Sequence, residues 1–202
     1  MICHYSRIAG IAAAVALLSF SALSAFALTI TVESKCVSGG TYVEGGTGWG
    51  NSSSKSNKTP CAGGSRSSKD AGAFSDFIPT IVTEGSYDVY LTWGQTTSSN
   101  NGPNAENAQV SIIDNAGTSN FTVNMRGHMN CANNADQLIY IGRGYFKPGQ
   151  GHKVRLSHTA TAQCFNGAMR RFVSADAAIF EFLAPVPTIE STWSGVKARY
   201  RS

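Results

Sequence analysis

Charge is scarce in this sequence: only 14% of its 202 residues are Asp, Glu, Lys or Arg. The formal net charge is +4, but Arg7 sits near the start and Lys197, Arg199 and Arg201 crowd the end. The middle of the chain is therefore close to neutral, which excludes the basic surface of a nucleic-acid-binding protein. Long apolar runs are lacking too. The one at residues 8–20 falls short of the roughly 20 residues a membrane span needs, and Ser19, Ser21 and Ser24 interrupt it. No pair of cysteines has CxxC spacing and no two histidines stand close enough for a zinc site. No G-x-S-x-G elbow occurs, and the strand–helix context that motif requires is missing. Convincing helical periodicity is absent between residues 28 and 182.

What the first 27 residues do contain is a basic start, an apolar middle and the small-residue exit Ala25-Phe26-Ala27. That is the three-part signature of a secretory signal peptide, cleaved after Ala27. Cys3 leaves with it, so four cysteines remain: Cys36, Cys61, Cys131 and Cys164. An even number in an exported chain reads as two disulfides with three possible pairings. Cys36–Cys61 and Cys131–Cys164 are favoured because each closes a loop within one half of the chain. Asn51, Asn57 and Asn120 open N-x-S/T sequons, which matter only in a eukaryotic secretory route.

The rest of the chain reads as short alternating runs separated by Gly, Asn, Ser and Pro, the pattern of a sandwich or barrel. Strands are expected at 28–32, 41–43, 74–82, 86–93, 108–113, 120–125, 138–141, 145–146, 153–157 and 172–182. Pro79 places its run at an edge or ends it. Residues 39–70, rich in Gly, Ser and Asn, read as a long loop with one short strand. In the clearest run Tyr87, Val89, Leu91 and Trp93 share one face, while Asp88, Tyr90 and Thr92 share the other. The first set is the core face. Asn115-Ala116-Gly117 turns 108–113 back onto 120–125 as a hairpin. Residues 28–184 thus form one domain. From Pro185 to Pro187 a stiff spacer leads into a tail, 185–202, with Trp193, Val196 and Tyr200 at near-helical spacing.

Several segments resemble the golvesin-like domains that accompany secreted bacterial enzymes such as xanthan lyase. Ile78-Pro79 followed by Gly85-Ser86-Tyr87-Asp88-Val89-Tyr90-Leu91-Thr92-Trp93 is similar to that family's central motif. Asn107 to Ile112 with Gly117, Ile141-Gly142 with Tyr145-Phe146 and Gly149, and Ala175 to Phe180 resemble its later strands. Gly46-Thr47-Gly48-Trp49 matches its early G-x-W. The resemblance implies a jelly-roll-like antiparallel β-sandwich with an accessory role, and it brings no catalytic residues. The cysteines and the loops 94–104 and 128–136 depart from the family pattern.

Candidate chemistry is sparse. His128, His152 and His158 are available for a Ser/His/Asp arrangement that no motif supports, and His152, in the Gly149-Gln150-Gly151 turn, is expected as a solvated loop residue. Asp176, flanked by alanines, reads as a structural acceptor, with a calcium ligand as the alternative. Paired carboxylates of a glycoside hydrolase are not indicated. Exposed aromatics remain, since sugar rings stack their C–H faces on such groups. Tyr90, Tyr140 and Trp49 are the candidate ligand-binding residues, and Trp49 could equally cover one end of the core. The sequence thus points to a secreted, non-catalytic carbohydrate-binding or surface-adhesion module whose partner is a polysaccharide or cell-surface glycan. It needs no cofactor or metal and meets a membrane only during export. A matrix, coat or filament subunit is the main alternative, and a small secreted hydrolase a further one.

Overall fold

The computed structural model describes residues 28–36, 38–53, 64–94, 104–105, 107–125, 138–159 and 172–184. The expected signal peptide, the 185–202 tail, Cys61, Cys131, Cys164 and His128 lie outside the described residues. Within them every element is a strand. They run β1 Thr29–Glu33, β2 Gly40–Gly45, β3 Gly50–Ser52, β4 Ser65–Ser68, β5 Phe74–Pro79 and β6 Gly85–Thr92. Then follow β7 Ala108–Asp114, β8 Gly117–Val123, β9 Ile139–Phe146, β10 Lys153–Ser157, β11 Val173–Ala175 and β12 Ala177–Phe182. All named pairs are antiparallel.

A four-stranded sheet in the order β1-β12-β6-β9 faces a five-stranded sheet in the order β2-β5-β10-β7-β8. A small third sheet, β11-β4-β3, completes the fold. The architecture is the expected antiparallel β-sandwich. The alternation of β6 decides which side faces the core: Tyr87, Val89, Leu91 and, just past the strand, Trp93 are all buried. They meet Phe77, Val110, Ile112, Val154 and Leu156 among the core residues supplied by the opposite sheet. Phe146 lies at the centre, edge-on to Tyr87 at 5.7 Å and to Phe180 at 5.4 Å between ring centroids. Each such side chain, fully buried, contributes about 1.5–3 kcal/mol. The polar tips are satisfied as well. Tyr87 donates its hydroxyl to the Thr83 carbonyl at 2.6 Å, and Trp93 donates Nε1–H to the Met125 carbonyl at 2.9 Å.

Three expectations change. The segment 39–70 is not simply a loop with one strand: β3 and β4 form within it, because β11 offers β4 a partner and β4 offers one to β3. The runs at 138–141 and 145–146 are one strand, β9. The last run breaks at Asp176, where the chain leaves the small sheet for the large one, and the Asp176 carbonyl accepts from Ser34 N–H at 2.8 Å. The hairpin is as expected, with Asp114 paired to Gly117 across a two-residue turn.

His152 is also not the solvated residue its glycine neighbours suggest. Gly149 and Gly151 both take positive φ, 71° and 58°, which turns the chain back over the sheet. His152 is thereby buried with its ring edge-on to Phe146 at 5.8 Å. His158 is buried too.

Candidate functional site

Strand pairing writes rows of side chains across the outer face of the four-stranded sheet. One row runs Thr31, Ile179, Tyr90, Tyr140, each opposite the next. The neighbouring row runs Thr29, Glu181, Asp88, Arg143. Adjacent rows on one face of a strand are two residues apart, roughly 7 Å at a rise of about 3.4 Å per residue. An aromatic row therefore lies directly beside a charged one.

The aromatic row is held by contact as well as by register. The Tyr90 and Tyr140 rings meet edge-on, with centroids 5.5 Å apart and planes at 64°. Tyr140 is 53% exposed, while Tyr90 is half-buried between Tyr140 and the buried Ile179. In the charged row Arg143 grips Asp88 with both ends of its fork, Nε donating to Oδ1 at 2.8 Å and Nη2 to Oδ2 at 3.3 Å. The Tyr140 hydroxyl reaches the same Asp88 Oδ1 at 3.5 Å. The guanidinium is held above its ordinary range by its hydrogen bond to Asp88. The Tyr90 phenol is also pushed up, first by desolvation and then by the negative charges of Glu181 and Asp88.

The face is not uniformly open. A third row, Glu33, Ala177, Thr92, is buried along its whole length, so the platform opens only on the side of Asp88 and Arg143. Beyond that row Tyr145 pairs with Ser86, donates its hydroxyl to Glu84 at 2.9 Å, and takes Asp114 Oδ2 on its backbone N–H at 2.6 Å. Lys147 stands 3.4 Å from the same Glu84.

Of the three aromatics expected to meet ligand, the structure brings Tyr90 and Tyr140 together. Trp49 is elsewhere, next to β3. Its ring packs against the core and its Nε1–H donates to the Gly45 carbonyl at 3.1 Å, which is the core-covering role. Near it Arg66 holds both oxygens of Glu44, at 2.6 and 2.8 Å, and donates to Asn51 at 2.6 Å. Tyr42 donates to the same Glu44 at 3.1 Å, and burial followed by that carboxylate pushes its phenol well above the ordinary range. Among the described residues no three His, Cys, Asp or Glu side chains converge as a metal site. Asp88 was placed beside Tyr90 by alternation alone. Arg143 and Glu181 were not singled out, and their signal is the strand register, which only the pairing supplies.

The chain matches no protein-family model and no curated relative. Several solved structures match, two of them as follows. A xanthan lyase from Paenibacillus superposes with a TM-score of 0.58 at 21% identity, covering 77% of this chain and 13% of that one. A GH26-CBM35 β-(1,4)-mannanase from Podospora anserina gives a TM-score of 0.48 at 15% identity, covering 79% of this chain and 29% of that one. The chain thus spans a small part of the length of each. Both neighbours are polysaccharide-active proteins, and the first of them shows the fold.

Proposed function

We propose that this protein is an exported, non-catalytic carbohydrate-binding or surface-adhesion module, and that the outer face of the β1-β12-β6-β9 sheet is its ligand platform. The observation that carries this reading is the Tyr90–Tyr140 pair, a half-buried ring edge-on to an exposed one, directly beside the carboxylates of Asp88 and Glu181. A sugar ring stacks its apolar face on an exposed aromatic, and carboxylate oxygens accept its hydroxyl protons through charge-assisted hydrogen bonds. The platform lies on the outer face of a sheet, and the Arg143 guanidinium fork fixes the Asp88 carboxylate in place beside the tyrosines. The golvesin-like sequence segments and the fold shared with part of a xanthan lyase agree with an accessory role, as an analogy of fold.

The direct test is a glycan array probed with the full chain lacking residues 1–27. Retention on one family of polysaccharides is the expected result. Absence of retention on every glycan, together with self-assembly into fibres or sheets, would favour a structural subunit instead.

A further inference from the structure

The charge layout of the same face carries a statement about which polysaccharides it takes, and this rests on the glycan-binding reading above. Among the described residues the platform presents one cation, Arg143, and both arms of its fork are spent on Asp88. Glu181 stands across from Asp88 in register and has no basic partner among the described residues. Lys147, at the margin, is 3.4 Å from Glu84. Among the described residues, every cation near the aromatic row is therefore already matched to a carboxylate, and Glu181 remains over.

We propose that the platform selects neutral polysaccharides and disfavours polymers of uronic acids. A neutral hexose offers hydroxyl donors around the rim of an apolar ring, and Asp88 and Glu181 supply acceptors beside Tyr140 and Tyr90 to receive them. A uronate sugar carries a carboxylate where a neutral sugar carries a hydroxymethyl group. That group needs an uncommitted cation, and here it meets the surplus carboxylate of Glu181 instead. Discrimination of this kind comes from the repulsive element as much as from the attractive one, and for exposed charges it weakens as salt screens them. Burial first, and then the charges of Glu181 and Asp88, hold the Tyr90 hydroxyl above its ordinary range.

The experiment is affinity gel electrophoresis of the full chain lacking residues 1–27. Its gels contain a neutral galactomannan, a neutral mixed-linkage glucan, polygalacturonate or alginate, at low and at high salt. The expected result is retardation by a neutral polymer at least about tenfold stronger than by either uronate polymer, the gap narrowing with salt. Glu181→Gln should narrow it as well, by strengthening retardation in polygalacturonate, while thermal melts confirm that the variant folds. Stronger retardation by a uronate polymer, lost in Tyr140→Ala, would overturn the selectivity and leave the platform standing. Retardation by no polymer, or retardation indifferent to Tyr140→Ala, would overturn the platform and the selectivity together.

Discussion

Tyr140 and Arg143 point to the same outer face of β9 although three positions separate them. Strict alternation would put them on opposite faces. The pairing with β6 explains it: Tyr140 lies opposite Tyr90 and Gly142 opposite Val89, so Ile141 is an extra residue and the register shifts there. This β-bulge re-aims the rest of the strand, a recurrent device at functional faces. After it, Arg143 and Tyr145 face outward while Gly142, Gly144 and Phe146 face the core.

The inward glycines make the bulge's second half fit. A Cβ on Gly144 would stand 2.5 Å from the Phe146 ring, and one on Gly142 would stand 2.7 Å from Phe121. Gly144→Ala should therefore destabilise by about 1–3 kcal/mol through overpacking. Chemical denaturation gives the figure, and an unchanged midpoint would mean that Phe146 has room to move.

Trp93→Ala should cost about 3–5 kcal/mol, since the ring is buried and its N–H is bonded to Met125. Tyr90→Ala should cost far less, because Tyr90 lies on the outer face of the same strand. Paired thermal melts check this. The opposite ranking would mean that the two faces of β6 are inverted.

Asp76 sits on the outer face of the five-stranded sheet, buried beneath Arg155, whose Nε and Nη2 donate at 2.6 and 2.8 Å, and Lys153, which donates at 2.9 Å. Burial alone would push its carboxyl up, but the two cations outweigh this and hold it below the ordinary carboxylate range. A depressed folded-state pKa means stability that is full above the unfolded value of about 3.9 and fades as pH falls through the folded value. Asp76→Asn should lower stability at neutral pH by about 1–3 kcal/mol. It should also flatten the decline in melting temperature below about pH 4. A variant whose acid profile matches the parent's would show that other carboxylates set the decline.

The Cys36 sulfur lies 3.6 Å from a Glu33 carboxylate oxygen, three residues beyond the end of β1. Its proposed partner, Cys61, comes shortly before β4 in the chain. Non-reduced peptide mapping of secreted material should find Cys36 joined to Cys61, Cys131 joined to Cys164, and an N-terminus at Leu28. Loss of either bond should cost about 2–4 kcal/mol. A peptide joining Cys36 to Cys131, or a chain beginning at Met1, would reject the respective assignment.

Much of the sandwich is legible in the sequence where one physical signal dominates. The alternation of β6 and the turn Asn115-Ala116-Gly117 give a core face and a hairpin by period and turn chemistry alone. Strands without that signal stay hidden. β3 and β4 are made of Gly, Asn, Ser and Arg, and they are strands only because a partner saturates their backbones. The site divides in the same way. Tyr90, Tyr140 and Asp88 follow from local period, whereas Arg143 depends on a bulge that no periodicity reveals. Glu181 depends on the pairing of β12 with β6, ninety-odd residues apart in the chain. Trp49 shows the converse: in a glycine-rich loop its sequence leaves ligand contact and core cover equally open, and only the packing decides for the core.

The central claim is that the Tyr90–Tyr140 row is the binding surface, and calorimetric titration of the Tyr140→Ala variant tests it most directly. The ligand is whichever polysaccharide the parent chain retains. Tyr140 is an exposed ring whose truncation leaves the core intact, so the melting temperature should stay within a degree or two, a change well under 1 kcal/mol. Affinity should nevertheless fall by about tenfold or more, the loss of a stacking anchor of at least about 1.4 kcal/mol. Unchanged affinity in a variant that folds as well as the parent would contradict the account.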